Sequence, residues 1–376
     1  MASNPRGGEG PIERLIEFSA HNKFLVLTLV LATLVGAVWS MKNIALDAIP
    51  DLSDTQVIIY SRWDRSPDVI EDQVTYPIVS AMLGAPRVKA IRGFSDFGFS
   101  YVYVIFQDGT DLYWARSRTL EYLSKIIPRL PEGVRTELGP DATGVGWVFQ
   151  YALVDTTGQH DLQELRSFQD WYLRYYLQSV PGVAEVASIG GFVKQYQVTI
   201  DPNRLLAYNI PLTKVVEAIR QGNQEAGGRL LEFSGAEYMV RGRGYLKSTA
   251  DIEKIVVGTD QKGTPVLIEH IGAVALGPDI RRGLVDLDGR GDVVGGTVIM
   301  RSGENALNVI NRVKAKLKDI EPSLPPGVKV EVTYDRSDLI VRAIENLKGK
   351  LIEEMMIVSA VILLFLWHFP RQSSPL

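Results

Sequence analysis

Two kinds of hydrophobic pattern alternate along this chain. The first is an unbroken apolar run, FLVLTLVLATLVGAVWSM from Phe24 to Met41, with no charged residue. As a helix it would be about 27 Å long at 1.5 Å per residue, close to the hydrocarbon thickness of a bilayer. Lys23 and Lys42 bracket it, and Trp39 stands where an interfacial aromatic would. A cleavable signal peptide fits less well, because the run is long and no small-x-small cleavage site follows it. The pattern predicts a transmembrane helix over residues 24–42. Before it, PIERLIEFSAHNK sets Ile12, Leu15, Ile16 and Phe18 among charges, so residues 1–23 read as a cytoplasmic or interfacial segment. A second run, MMIVSAVILLFLWHF at 355–369, predicts another membrane helix that begins near Leu351 and is cut short, spanning 351–369. Residues 370–376 form an atypical tail. Arg6, Arg14 and Lys23 precede the first helix and favour a cytoplasmic N-terminus, which places the long intervening loop on the far side of the membrane.

The second pattern fills that loop. In DLYWARSRTLEYLSKIIPRLPEGVRTEL (111–138), Leu112, Ala115, Thr119, Leu123 and Ile126 recur at helical spacing. Pro131 and Gly133 break the helix, and Val134, Thr136 and Leu138 then alternate as in a strand. Residues 305–334 repeat this. Leu307, Ile310, Val313, Leu317 and Ile320 share one face, with Lys314, Lys316 and Lys318 expected on a solvated or subunit-facing one. Pro325, Pro326 and Gly327 end that helix, and Val328, Val330, Val332 and Tyr334 follow with period two. A third copy, 161–189, breaks at Pro181-Gly182-Val183. VIIYSRW (57–63), YVYVIF (101–106), WVFQYALVD (147–155) and YQVTI (196–200) supply further strands, and 66–83 a further helix. Repeated βαβ halves predict ferredoxin-like α+β subdomains. Residues 226–300 are richer in glycine and in short β-like runs such as EYMVRG and GGTVIM, which predicts a β-rich insertion with hairpins. The expected organisation is therefore α+β subdomains over 43–225, the β-rich insertion over 226–300, and a return to the α+β fold over 301–345, all between two membrane helices.

Charge and composition narrow the chemistry. The net charge is −4, with no basic surplus of the kind nucleic-acid binding needs. There are no cysteines, which removes disulfides, thiolate metal sites and cysteine nucleophiles. Hydrophobic residues make up 46% of the chain, enough for large cores. Asp47, Asp51 and Asp54 cluster around Pro50 just after the first apolar run. Carboxylates alone at this spacing match no ligand loop, so they are read as solvated turn residues where the chain leaves the membrane. His21, His160, His270 and His368 lie too far apart for a helical or hairpin zinc pair. GVGW (144–147) and GRGDVVGG (289–296) read as tight turns, the first as a hinge between subdomains, because neither follows a strand and opens a helix with a P-loop lysine. Met82, Met239 and Met300 are the soft-ligand candidates of the loop, and each sits in an apolar pattern that points to core packing. No catalytic, cofactor-binding or metal residue is assigned, and no nucleophile or cofactor constellation marks an enzyme.

Several longer stretches carry a resemblance. ALDAIPDLSDTQVII, RGFSDFGFSYVYVIFQDGTDLYWARSRTLEYL, ELGPDATGVGW, GNQEAGG (222–228) and TYDRSDLI (333–340) resemble the heavy-metal efflux branch of the resistance–nodulation–division transporters, from about Ile12 to about His368. The resemblance implies the first third of an inner-membrane, multi-pass, homotrimeric pump subunit with a large periplasmic domain. Such a pump drives metal-cation export, of copper, silver or other heavy metals, with inward proton flow. It works with a periplasmic adaptor and an outer-membrane channel, and uses no bound cofactor. The resemblance places the proton-relay carboxylates and the central methionine site beyond Leu376, so the chain alone is expected to be inactive. Ile280 in GPDIRRG departs from the methionine that copper exporters of this kind carry. A different class remains open on the residues alone: a complete two-helix membrane protein with a periplasmic scaffold domain.

Overall fold

The computed structural model describes residues 11–43, 47, 49–260, 262–281 and 283–368. Its first α/β unit contains β1 (Gln56–Arg62), β2 (Val88–Asp96), β3 (Phe99–Phe106) and β4 (Arg135–Leu138) in the order β2–β3–β1–β4, antiparallel throughout. Alternation along β1 puts Val57 and Ile59 in the core, as the period-two pattern requires. One helical run, Pro67–Met82, connects β1 to β2, and the helix Leu112–Ile126 connects β3 to β4. Ala115, Thr119 and Leu123 of the latter are buried against the sheet.

The Pro67–Met82 run buries Ile70, Val74, Ile78 and Met82, each four residues from the last. In an α-helix a strict four-residue period drifts by about 40° per step. A wider turn absorbs that drift, and the segment Glu71–Thr75 is indeed a π turn. The second unit repeats the device. Leu165, Gln169, Leu173 and Leu177 are buried at the same spacing, and Gln169–Leu173 is a π turn.

That second unit begins with β5 (Trp147–Asp155), the helical run Leu162–Gln178 and β6 (Val183–Gly190). The chain then leaves it. β7 (Lys194–Ile200) is followed by the helices Pro202–Tyr208 and Leu212–Gly222 and by the hairpin β8 (Ala226–Phe233) and β9 (Ala236–Gly242). A small pair, β10 (Val256–Thr259) and β11 (Pro265–Leu267), precedes β12 (Gly272–Pro278), which returns to pair with β7. The chain re-enters the second unit as β13 (Val294–Met300), then the helix Ala306–Ile320 and β14 (Val328–Asp335). The sheet order, β14–β5–β13–β6, repeats that of the first unit strand for strand.

Two strands therefore lie elsewhere than their local pattern suggests. YQVTI pairs with β12 and belongs to the inserted part, and GGTVIM is a central strand of the second sheet, buried on both faces. Its glycines serve packing and not a hairpin: a Cβ on Gly296 would lie 2.4 Å from the Tyr151 ring. The three Pro-Gly breaks behave alike, with Gly133, Gly182 and Gly327 at φ of 89°, 90° and 85°.

The helix Ala306–Ile320 buries Ile310, Val313 and Ile320, as its spacing predicts, while Leu307 and Leu317 are half-buried and Val309, outside the expected set, is fully buried. Its lysine face is less free than the pattern suggested. Lys314 pairs with Asp335, and Lys316 lies 5.3 Å from the Tyr176 ring centroid and 3.1 Å from Asp319, while Lys318 is exposed. The Tyr176 ring and the Asp335 carboxylate, both off the helix, and Asp319 one turn further along it hold these side chains.

Helices Pro11–His21 and Lys23–Asn43 precede the first unit, and Arg336–His368 follows β14 without a linker. Among the described residues, Lys23–Ser40 is the one stretch long and apolar enough to cross a membrane, by length and composition. The side-chain description of the last helix stops at Phe365, so the span read over 351–369 lies partly outside it, as do residues 1–10 and the tail 370–376.

Candidate functional site

The stretch from Asp47 to Thr55 joins the first apolar helix to β1, and its three aspartates go in three directions. Asp47 meets Arg336, at the start of the last helix, at 3.0 Å. Asp51 accepts from the Ser53 backbone N–H at 3.0 Å and from the Thr143 side chain. Burial works to raise the Asp51 carboxyl, but these hydrogen bonds outweigh it and hold the group below its ordinary value. Asp54 pairs with Lys89 at 3.0 Å. The cluster is thus three separate stitches between distant segments, where the sequence pattern suggested only solvated turns. Among the described residues, no three His, Asp or Glu side chains converge as a metal site would require.

A second knot lies beside it. Asp141 accepts from the Tyr113 hydroxyl at 2.9 Å and faces Arg301 Nε at 3.4 Å, joining the two units. The hydrogen bond to Asp141 is the main reason the Tyr113 phenol is held above its ordinary value. Arg116 donates to the Gly139 carbonyl at 2.7 Å, Ser302 N–H to the Asp141 carbonyl at 3.0 Å, and Met300 N–H to the Gly146 carbonyl at 2.7 Å. The GVGW turn therefore does sit between the units. It is pinned on both sides, and a Cβ on Gly146 would come within 3.1 Å of the Met300 carbonyl oxygen. A cavity of about 320 Å³ lies here, bordered by Asp47, Asp51, Thr143, Met300 and Glu304.

A larger cleft of about 700 Å³ opens between the outer face of the first sheet and the second unit. Tyr60, Tyr101 and Tyr103 line one wall, and Arg174 and Glu185 the other, with Arg116 and Glu137 at the margins. Its lining mixes aromatic rings with charges of both signs, which suits a polar or charged guest and not a purely apolar one.

The remaining candidates from the sequence have local roles. His160 lies 3.3 Å from Glu164 and 3.3 Å from the Pro326 carbonyl, and His270 accepts from the Leu267 backbone at 3.1 Å. Met82 is fully buried, whereas Met239 is 80% exposed on the β8–β9 hairpin and not in a core. The GRGD turn is closed by Asp286, which accepts from the backbone N–H groups of Gly289 and Gly291 at 2.7 and 3.0 Å. What the linear pattern missed is Arg336. It is 4% exposed, with Nη1 on Asp47, Nη2 donating to the Trp147 carbonyl at 2.6 Å and Nε to the Tyr334 hydroxyl at 3.3 Å. The only sequence signal was the charged residue inside TYDRSDLI, where a strand turns into a helix.

Two repeated α/β units, one interrupted by a long insertion, preceded by an apolar helix and followed without a linker by another long helix, agree with the comparison to known proteins. The family described as AcrB/AcrD/AcrF matches residues 15–372, and the chain belongs to it, within the resistance–nodulation–division transporters. Its relatives there include the cation efflux system protein CusA of Escherichia coli strain K12, 54% identical over 358 residues, covering 95% of this chain and 34% of the relative. The putative cation efflux system protein SilA of Salmonella typhimurium is 53% identical over the same shares. A crystal structure of a heavy metal efflux pump superposes with a TM-score of 0.84 at 32% identity, over 93% of this chain and 35% of that one. The chain thus spans about a third of the length of the relatives it matches.

Proposed function

We propose that this chain is the N-terminal part of a proton-driven inner-membrane pump subunit that exports metal cations, whether copper, silver or other heavy metals. The observation that carries this reading is the 54% identity to CusA over 95% of the chain, against only 34% of that relative. In this reading the helices at 24–42 and 351–369 cross the membrane, and the N-terminal helix Pro11–His21 lies at its cytoplasmic surface. The two βαββαβ units are ferredoxin-like porter subdomains in the periplasm. The inserted part, read from the sequence as 226–300, is the docking subdomain, and the β7–β12 pairing supports counting both of those strands with it. The β8–β9 hairpin supports assembly as a homotrimer. Every residue from Ala226 to Gly242 is exposed, and a lone two-stranded hairpin is marginal in water without a partner. A periplasmic adaptor and an outer-membrane channel complete the assembly. Alone, the chain is inactive, because a proton path needs membrane carboxylates. Its first apolar run has none, and its second has only Glu353 and Glu354 near one end.

A chimera tests this reading. Residues 15–372 replace the matching third of CusA in a host lacking its own metal pumps. Restored growth on copper and silver salts is the expected result. A chimera that reaches the membrane as a trimer yet leaves the host fully sensitive to both metals would overturn the reading.

A further inference from the structure

We infer that Arg336 is a mechanical coupler, whose buried guanidinium locks the segment leaving the first apolar helix, the start of β5 and the start of the last helix into one body. Three observations carry this. Asp47 lies just past the end of the helix Lys23–Asn43, yet it pairs with Arg336 across 289 residues of sequence. Trp147 opens β5, an inner strand of the second sheet, and its carbonyl accepts from Arg336 at 2.6 Å. Arg336 itself is the first residue of the helix that follows β14 without a linker.

A planar guanidinium with five N–H donors can serve three directions at once, which an ammonium group on a flexible stem does not do with the same geometry. The same corner is fastened a second time. Asp335 accepts from the Ser337 backbone N–H at 2.9 Å and from its hydroxyl at 2.7 Å, and Lys314 of the helix Ala306–Ile320 pairs with Asp335. Burial works to raise the Asp335 carboxyl, but the bonds from Lys314 and Ser337 prevail and hold it below its ordinary value.

Moving Asp47 or the start of the last helix against the second sheet must break a charge-assisted bond of a buried cation. Leaving such a charge uncompensated is strongly unfavourable. Small displacements are therefore transmitted to the sheet, and a displacement large enough to part Asp47 from Arg336 moves the helices to a discrete second arrangement. The inference rests on the proposed pump reading for its purpose, the passing of movement in the bilayer to a periplasmic unit. Its test reads distances alone, so failure of the chimera leaves the test intact and failure here leaves the chimera intact.

The chain contains no cysteine, so introduced pairs carry spin labels without interference. Labels at Ser40→Cys and Leu347→Cys, both at exposed positions, report the two helices in the full chain in detergent micelles. Labels at Asn311→Cys and Lys329→Cys, also exposed, report the interior of the second unit. Asp47→Asn removes the ion pair but keeps the bond to the Trp147 carbonyl, and Arg336→Lys keeps the charge but loses the fork. Both variants are expected to broaden the Ser40–Leu347 distance distribution about twofold or more while the control pair keeps its width. An unchanged Ser40–Leu347 distribution in both variants would overturn the inference. Equal broadening of the control pair would overturn it too, since Arg336 would then be holding the fold together generally.

Discussion

The hydroxyl of Tyr151 donates to Gln169 Oε1 at 2.9 Å in a core where the two residues are 1% and 0% exposed. Gln169 opens the π turn of its helix, and its amide also reaches Ser188 of β6 at 3.3 Å. This polar pair joins the helix to two strands of the second sheet. Burial raises the Tyr151 phenol, so it remains a neutral donor at any ordinary pH. Tyr151→Phe leaves the Gln169 oxygen buried without a donor, an expected loss of about 1–3 kcal/mol. Adding Gln169→Leu should recover part of that loss, because the orphaned acceptor is then gone. Guanidinium unfolding of the four chains of this double-mutant cycle checks it, and a double variant at the sum of the two single losses would show no coupling.

The three Pro-Gly breaks should respond to alanine in a definite order. Gly133→Ala meets nothing nearer than 3.8 Å and should cost only the left-handed backbone, about 1 kcal/mol. Gly327→Ala adds a Cβ 2.4 Å from Thr157 Cγ2, but Thr157 is exposed and can move. Gly182→Ala places its Cβ 2.7 Å from Val309 Cγ2 in the closed core and should be the most destabilising of the three. Thermal unfolding of the three variants side by side gives the ranking.

Val313 and Lys316 lie one turn apart on the helix Ala306–Ile320 and should differ in degree. Val313 is fully buried, so Val313→Asp should cost about 3 kcal/mol or more, or drive the new carboxyl to titrate far above its normal range. Lys316→Asp loses the Tyr176 ring contact and places a second negative charge near Asp319, at an expected cost of about 1 kcal/mol. Equal losses in urea titrations would mean that the buried face is misassigned.

Acid should release the loop after β5. Asp155 accepts from the Thr157 hydroxyl at 2.7 Å and from the His160 and Thr157 backbone N–H groups at 2.8 Å each, and these bonds lower its carboxyl to about 2. The folded value lies below the ordinary 3.8, so the carboxylate's contribution is complete above pH 4 and is lost as pH falls towards 2. Asp155→Asn should remove this component. Stability measured from pH 5 to pH 2 should fall less steeply in the variant than in the parent chain, and parallel curves would contradict the assignment.

Much of this molecule is local and was legible in the linear pattern. Helix faces such as Ala115–Thr119–Leu123, the alternation along β1 and the Pro-Gly stops follow from periods of about 3.6 and 2 and from the conformational freedom of glycine. Even the π turns have a linear signature, in Ile70-Val74-Ile78-Met82 and Leu165-Gln169-Leu173-Leu177, though it is clear only once the four-residue period is compared with the helical one. The candidate span Lys23–Ser40 depends on composition and length alone. Tertiary structure decided whatever depends on a distant partner. GGTVIM reads as a glycine-rich hairpin until β5 and β6 enclose it, and YQVTI has no assignable sheet until β12 returns to it. Asp47, Asp51 and Asp54 look like one acidic cluster along the chain, but Arg336, Thr143 and Lys89 draw them apart. A charge carries no periodicity, so its partner is set by where two remote segments meet, and only the folded chain brings Asp47 and Arg336 to 3.0 Å.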